Sequence, residues 1–315
     1  AGSTGSNAES TYGRMSVDER FMQLALEAAR QGEGLTRPNP PVGAVLVREG
    51  VVLATGWHAV AGGDHAERAC LNAVAGEDLS GSTLYITLEP CSTYGRTPPC
   101  SAFILEHQLQ RVVVGTLDPN PVHAGRGIEQ LKESGVEVSV GVCEEDARCL
   151  IEPFVSWMVR RRPFVTLKLA VTLDGRMADA AGSSKWISGG AAREWVQGLR
   201  RKVDAVMVGA ETVRRDDPSL LPRPAEGRSP WRIIMGEDIP DEACVVSDEA
   251  ADRTLIRTGE LGPVLASLAA DYDVMHLLCE GGGGVAAQLL EANLVDELVM
   301  ICLLYTSDAA DDEER

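Results

Sequence analysis

Thr83-Leu84-Tyr85-Ile86-Thr87-Leu88-Glu89-Pro90-Cys91 decides how the first half of the chain is read. The run 83–88 is apolar and rich in β-formers, so it is read as a buried strand, and it delivers Cys91 off its end. Upstream, Gly62-Gly63-Asp64 turns the chain into His65-Ala66-Glu67, read as a helix start; downstream stands Pro98-Pro99-Cys100. One imidazole and two thiolates are usual protein ligands of a tetrahedral zinc, and a catalytic zinc keeps its fourth position for water. A helix start and a strand end bring such ligands together without a long flexible loop. Glu67, two residues past His65, can face that water without being a ligand, which is a general-base position. A closed structural zinc needs a fourth protein ligand, and none stands at ligand spacing. Cys70, inside the apolar run Ala69-Cys70-Leu71, reads as a buried small hydrophobe. A zinc staple and unrelated buried cysteines are the alternatives.

Around this core, helix and strand signals alternate. Ser16-Val17-Asp18-Glu19 has the pattern of a capping box and opens a helix to about Arg30, with Phe21, Leu24, Ala25 and Ala28 on one face and Gly32 and Gly34 ending it. Residues 42–47 and 51–54 read as a hairpin turning at Glu49-Gly50. Then come a helix over 101–108, a strand over 111–115, a helix over 127–134 and a strand over 136–142, an alternation that argues for an α/β sandwich. His107 reads as solvated on a polar helix. His123, in the Pro/Gly segment 118–127, fits an ordinary turn as well as a site, and His58 is open between substrate contact and loop packing.

The totals set limits. At 315 residues the chain has room for two α/β domains, and 44% hydrophobic content supports packed cores. A net charge of −18 disfavours nucleic acid as a partner. No run of about eighteen apolar residues occurs, so no membrane span is indicated. Eight scattered cysteines read as reduced thiols, which points to the cytoplasm.

His-x-Glu followed by Pro-Cys is the signature of zinc-dependent nucleobase deaminases. With Arg37-Pro38-Asn39-Pro40-Pro41-Val42-Gly43-Ala44-Val45 and the whole segment 89–100, the sequence resembles the bifunctional pyrimidine deaminase/reductase family of riboflavin biosynthesis. The eight residues between Cys91 and Cys100 are that family's habit; histidine is common there where this chain has Thr93. The resemblance implies a cytidine-deaminase-like three-layer α/β/α sandwich, Zn2+ on His65, Cys91 and Cys100, catalysis by Glu67, and substrate contacts at Asn39 and His58.

Arg160-Arg161-Arg162-Pro163 follows a helix over 146–158 and reads as a solvated junction. Beyond it, 164–170 reads as a strand. The second half has no G-x-G-x-x-G, so a Rossmann domain is not indicated. Instead, the apolar run 274–278 leads through Cys279-Glu280-Gly281-Gly282-Gly283-Gly284 into a helix over 285–291, a turn that offers free amides and a positive helix end to a phosphate. The segments around Lys168, 184–188, Leu199-Arg200, 204–213 and 216–220 resemble the same family's reductase domain, similar in fold to dihydrofolate reductase. That resemblance implies NADPH at Ala170, Trp186, Thr212, Asp216 and Gly281, Gly282, Gly283 and Gly284. It implies the ribosyl phosphate substrate at Lys168, Asp174, Ser184, Arg200, Leu220, Arg223 and Glu280. Arg200 and Arg223 suit a phosphate because guanidinium matches its oxygens. Lys168 and Asp174 fit equally a strand-edge lysine and a turn aspartate, and Trp195 reads as packing.

The organisation expected is a disordered leader over 1–15 with a native start at Met15, a deaminase domain over 16–145, a linker over 146–163, a reductase domain over 164–301 and an aberrant tail over 302–315. After a strand over 296–301 the tail departs from the family pattern and is expected to be foreign sequence, leaving the reductase sheet short of its final strands. The reading is a homo-oligomeric, two-step enzyme: zinc-dependent hydrolytic deamination of 2,5-diamino-6-(5-phosphoribosylamino)pyrimidin-4-one, then NADPH-dependent reduction of its ribose to ribityl. A monofunctional deaminase with a degenerate second domain and a zinc-stapled binding protein are the alternatives.

Overall fold

A computed structural model describes residues 15–94, 98–121, 123–173, 175, 189–224 and 228–303. Asp174, Ser184, Trp186, the leader through residue 14 and the tail from 304 lie outside the described residues. The chain forms two compact units, divided after Ile151.

In the first unit, Ser16 Oγ accepts from Glu19 N (3.2 Å) while Glu19 Oε2 accepts from Ser16 N (2.7 Å), the reciprocal cap that starts α1 (Val17–Arg30). Helix α1 buries Phe21, Met22, Ala25, Leu26, Ala28 and Ala29. Leu24, expected on that face, falls just beyond the edge of this stripe and is 38% exposed. There follow β1 (Gly43–Arg48), β2 (Val51–Trp57), α2 (Ala66–Asn72), β3 (Thr83–Leu88), α3 (Cys100–Glu106), β4 (Arg111–Thr116), α4 (Arg126–Glu133), β5 (Glu137–Val140) and α5 (Glu144–Val155). Positive φ at Glu49 (51°) and Gly50 (78°) gives the β1–β2 hairpin a tight turn of the right twist.

The sheet order is β2-β1-β3-β4-β5. β1 pairs antiparallel with β2 and β3, and β3, β4 and β5 run parallel. Period-two alternation splits the strands between two cores. Val45, Val47, Tyr85 and Val113 meet α1 on one face. Ala44, Leu46, Leu84, Ile86, Val112 and Val114 meet Ala66, Cys70 and Leu71 of α2, Ile104 of α3 and Leu131 of α4 on the other. This is the three-layer α/β/α sandwich that the alternation of elements predicts. The layers touch backbone to backbone: a Cβ on Gly56 of β2 would stand 2.3 Å from Cys70 N and 2.7 Å from Ala66 O of α2. His107, expected to be solvated, is half-buried because its ring packs edge-on against Phe103 at 4.6 Å and its Nδ1 donates to Phe103 O.

The second unit comprises β6 (Phe164–Thr172), α6 (Gly190–Lys202), β7 (Ala205–Gly209), α7 (Ala210–Asp216), β8 (Trp231–Met235), α8 (Cys244–Ser247), β9 (Thr254–Arg257), α9 (Leu261–Tyr272), β10 (His276–Gly281), α10 (Gly283–Glu291) and β11 (Glu297–Leu303). Its strands pair parallel in the order β11-β6-β10-β7-β8-β9. Both faces are covered, as parallel sheets require, so the strands are apolar without alternation. Val165, Leu167, Met207, Ile233 and Leu277 face the core built with α9 and α10. Val206, Val208, Ile234 and Leu278 face another with Val213 and Val245.

Three expectations are corrected here. The basic run at 160–162 is solvated only in part: Arg160 and Arg161 are exposed, but Asp296, its side chain 6% exposed, accepts from Arg160 Nη1 (2.6 Å), Arg162 Nη2 (2.8 Å) and Val165 N (2.8 Å). A carboxylate buried at the foot of two strands needs such donors. Trp195 is 49% exposed, the packing role on α6 being taken by Val196. Strand β11 runs past residue 301, with Cys302 and Leu303 paired to Val171 and Thr172, so the tail does not begin as a break in the sheet.

Candidate active site

His65 is the N-cap residue of α2, in extended backbone conformation, which turns its side chain toward the end of β3. Cys91 follows β3, and Cys100 is the first residue of α3 behind the N-cap Pro99. His65 Nδ1 lies 3.7 Å from Cys91 Sγ and 3.3 Å from Cys100 Sγ, and all three atoms fall within 4.8 Å of one another. Cys100 N donates to Cys91 Sγ (3.3 Å), and Ser101 N donates to Cys91 O (3.2 Å), so the second cysteine's helix start holds the first in place. The hydrogen bond from the Cys100 thiol, aided by His65, holds the Cys91 thiol below its ordinary range and pushes the Cys100 thiol up. A ring nitrogen and two cysteine sulfurs converging in this way suit zinc, which binds both sulfurs as thiolates.

Glu67, in the first turn of α2, is 3% exposed. Burial, with the Cys91 thiolate second, raises it to about 7, where a carboxyl can both take and return a proton. His58 is 2% exposed, its ring edge-on to His65 at 5.3 Å. Its Nδ1 lies 2.8 Å from Asp64 O; a carbonyl only accepts, so Nδ1 carries the proton and Nε2 accepts from Asn39 Nδ2 at 3.1 Å. Burial lowers its pKa, in keeping with the neutral ring. His58 is thus buried, and Asn39 is bonded to the same ring that stands edge-on to His65.

The second unit holds a cleft of about 770 Å³ at the carboxyl ends of β6, β7, β8 and β10, where open parallel sheets bind ligands. Of the residues singled out in the sequence, Lys168, Ala170, Arg200, Thr212, Asp216, Leu220 and Glu280 line it, with Gly281, Gly282, Gly283 and Gly284. Gly281 and Gly282 have φ of 113° and 81°, and a Cβ on Gly282 would stand 3.1 Å from Thr212 Oγ1. Glycine therefore lets the amino end of α10 open onto the cleft beside α7. Arg200 and Glu280 grip each other: Arg200 Nη2 donates to Glu280 Oε2 at 3.0 Å and Nε to Oε1. Arg223 is not in the cleft lining; it is exposed, and its backbone N donates to Gln197 Oε1.

Sequence reading missed the Gly209 and Gly236 edges of the cleft, although each glycine directly follows or ends an apolar strand. It also gave no role to Glu89, whose buried carboxylate accepts from the amides of Asp118, Gly125 and Gly127.

The two sites define a class: a zinc-type deaminase unit joined to a reductase unit in one chain. Residues 15–116 match the cytidine and deoxycytidylate deaminase zinc-binding region, and residues 163–303 match the RibD C-terminal domain. The riboflavin biosynthesis protein RibD of Aquifex aeolicus is 42% identical over 90% of this chain and 86% of its own length; that of Bacillus amyloliquefaciens is 38% identical over 90% and 83%. Among solved structures, Acinetobacter baumannii RibD superposes with a TM-score of 0.82 at 36% identity, covering 92% of this chain and 88% of that one. The diaminohydroxyphosphoribosylaminopyrimidine deaminase/5-amino-6-(5-phosphoribosylamino)uracil reductase of Thermotoga maritima gives 0.81 at 39%, covering 90% and 85%. The chain belongs to the RibD family, the bifunctional deaminase/reductases of riboflavin biosynthesis.

Proposed function

We propose that His65, Cys91 and Cys100 hold Zn2+, that Glu67 is the proton carrier of a hydrolytic deamination of 2,5-diamino-6-(5-phosphoribosylamino)pyrimidin-4-one, and that the second cleft takes NADPH to reduce the deaminated product. The convergence of three ligand atoms with one buried carboxylate carries this reading. A zinc ion bound there supplies Lewis acidity, making a water acidic enough to ionise near neutrality. Glu67 would accept the proton that water loses and pass it to the ring nitrogen, then accept the second proton from the hydroxyl newly bonded to the pyrimidine carbon and pass it to the amino group as the C–N bond breaks, so that ammonia leaves and Glu67 ends as it began. Burial suits Glu67 to both states, and the His58–Asn39 pair turns the Asn39 amide toward the substrate ring.

In the second unit, Ala170, Thr212, Asp216 and the glycine turn 281–284 support the cofactor, with the amino end of α10 facing its phosphates. When bound, the nicotinamide supplies hydride to the ribose carbon. Lys168, Arg200, Leu220 and Glu280 hold the phosphorylated sugar, the Arg200–Glu280 pair fixing the guanidinium in one orientation.

The test gives the purified protein, with one zinc per chain, the diaminopyrimidine substrate. Ammonia release without NADPH, followed by NADPH oxidation that depends on prior deamination, is the expected result. Ammonia release with no NADPH oxidation would restrict the activity to the first unit. No ammonia release by the zinc-loaded protein would overturn the deaminase assignment.

A further inference from the structure

Arg232 stands on β8 between the apolar Trp231 and Ile233 and is fully buried, yet it lies outside the cleft lining and has no part in the chemistry above. Its terminal nitrogens grip Asp248, Nη1 donating to Oδ2 and Nη2 to Oδ1, each at 2.7 Å. Its Nε is buried with no hydrogen-bond partner among the described residues. Burying a charge is costly, and apolar side chains often fill such a place with equal or better stability. What they cannot do is make the further bond of this guanidinium, from Nη1 to Ser219 O at 3.2 Å. Ser219 belongs to the segment after α7, where Pro218 and Leu220 line the cleft. That segment is held in an uncommon shape. Asp217 and Leu220 have φ of 42° and 59°, the left-handed region that side chains rarely adopt, and such residues persist where their surroundings fix them. Asp217 Oδ1 accepts from Cys244 N at 2.7 Å. The carbonyls of the residues on either side of Leu220 are each held by an arginine, Ser219 O by Arg232 and Leu221 O by Arg200 Nη1 at 3.1 Å. Arg200 is the side chain that pairs with Glu280 in the cleft. A buried ion pair and a cleft ion pair thus meet through the backbone of Ser219, Leu220 and Leu221.

We propose that Arg232 is a positioning residue for the reduction step: by fixing the Ser219 carbonyl it holds Leu220 in its left-handed turn and, through the Leu221 carbonyl, sets the direction of the Arg200 guanidinium toward the phosphorylated sugar. The proposal rests on the reductase reading of the second cleft. The cofactor's place is built by other elements, Thr212 and Asp216 on α7 and the glycine turn 281–284, and Arg232 donates to none of them. Loss of the strut therefore weakens the hold on the sugar and leaves the cofactor's place intact.

The experiment compares the full chain with the double variant R232M/D248L, which replaces the buried pair by apolar side chains. It reads the melting midpoint, ammonia release, NADPH affinity by tryptophan fluorescence, and kcat and KM for reduction of supplied deaminated substrate. The double variant is expected to melt within a few degrees of the parent and to release ammonia at the parent's rate. Its KM for the deaminated substrate should rise about tenfold, the worth of one well-made hydrogen bond, while NADPH affinity stays within about twofold. R200A raises that KM by itself, and combined with R232M/D248L it should raise KM no further than R200A alone, because both act on the same guanidinium. A KM within about twofold of the parent in the stable double variant would make the pair merely structural and overturn the proposal. An equal fall in NADPH affinity, or effects that multiply with R200A, would overturn it too. If R232M/D248L does not fold, R232K takes its place with the same expected and refuting results: it keeps the charge beside Asp248, but one ammonium nitrogen cannot span both carboxylate oxygens and Ser219 O as the guanidinium fork does. Failure of the parent to oxidise NADPH would instead defeat the underlying reductase reading.

Discussion

Substituting Gly56 with alanine probes how rigidly the zinc site is held. The ideal Cβ would lie 2.3 Å from Cys70 N, 2.7 Å from Ala66 O and 2.7 Å from Cys70 Cα, all backbone-core atoms of α2 that no rotamer change can move aside. Ordinary contact begins at 3.4 Å. The difference from 2.3 Å means that α2 must withdraw from β2 by about 1.1 Å. Ala66 sits between His65 and Glu67, so ligand and proton carrier move with it. Overpacking of this kind costs about 1–3 kcal/mol. A displacement of about 1 Å in catalytic geometry costs on the order of 100-fold in rate. G56A should therefore lower deamination kcat/KM by about 100-fold, weaken zinc retention on dialysis and lower the melting midpoint of the first unit by several degrees. NADPH-dependent reduction of supplied deaminated substrate, carried out in the second unit, is the internal control and should stay near the parent's rate. Deamination within about twofold of the parent, with an unchanged melting midpoint, would refute the claim that this backbone contact fixes the helix.

Glu67→Gln should remove the proton carrier while leaving the ligands in place: deamination falls at least about 100-fold, with zinc content and NADPH oxidation unchanged. Loss of zinc from that variant would show that Glu67 holds the site together instead. Gly282→Ala places a methyl group at a φ of 81° and 3.1 Å from Thr212 Oγ1, so NADPH affinity measured by tryptophan fluorescence should drop about tenfold or more while ammonia release persists. Asp18, held below the usual carboxylate range chiefly by its hydrogen bonds from Arg111, stabilises the folded state above the pH where a free aspartate ionises, and that contribution is lost as pH falls through its lowered pKa. Asp18→Asn should flatten the acid limb of stability against pH and cost about 1 kcal/mol at neutral pH, a small value because both partners are about a quarter exposed. A full acid limb in that variant would assign the effect to other carboxylates.

The deaminase unit was legible because its signals are local. Ser16 and Glu19 cap each other across three residues, Glu49-Gly50 can only turn, and 83–88 is apolar throughout, so the strand that carries Cys91 was bounded correctly. The candidate metal-binding side chains stood out because their chemistry is rare; that their ligand atoms meet within 4.8 Å needed the fold. Glu89 was overlooked because its partners are backbone amides 29 to 38 residues away, which leave no side-chain signature. The basic run at 160–162 was misjudged in part, at Arg162 above all, for a related reason. Its acceptor, Asp296, is more than 130 residues distant, and a charge whose partner is that remote looks solvated. Trp195 and Leu24 show the reverse error, since an apolar side chain is read as buried whether or not a neighbour comes to cover it.

The order of strands in the second sheet has a consequence for synthesis on the ribosome. β6 is the first strand of its unit to emerge, yet both its neighbours, β10 and β11, are among the last: Thr166 waits for His276, 110 residues later, and Arg162 waits for Asp296, 134 residues later. Until then β6 is a nine-residue apolar strand with two bare edges, the kind of segment that recruits other chains. The first unit, with all its strands made by residue 140, can close while this happens. A nascent chain of this protein therefore carries a finished deaminase sheet and an unpartnered hydrophobic strand at the same moment, and it is in that interval that a chaperone would have most to shield.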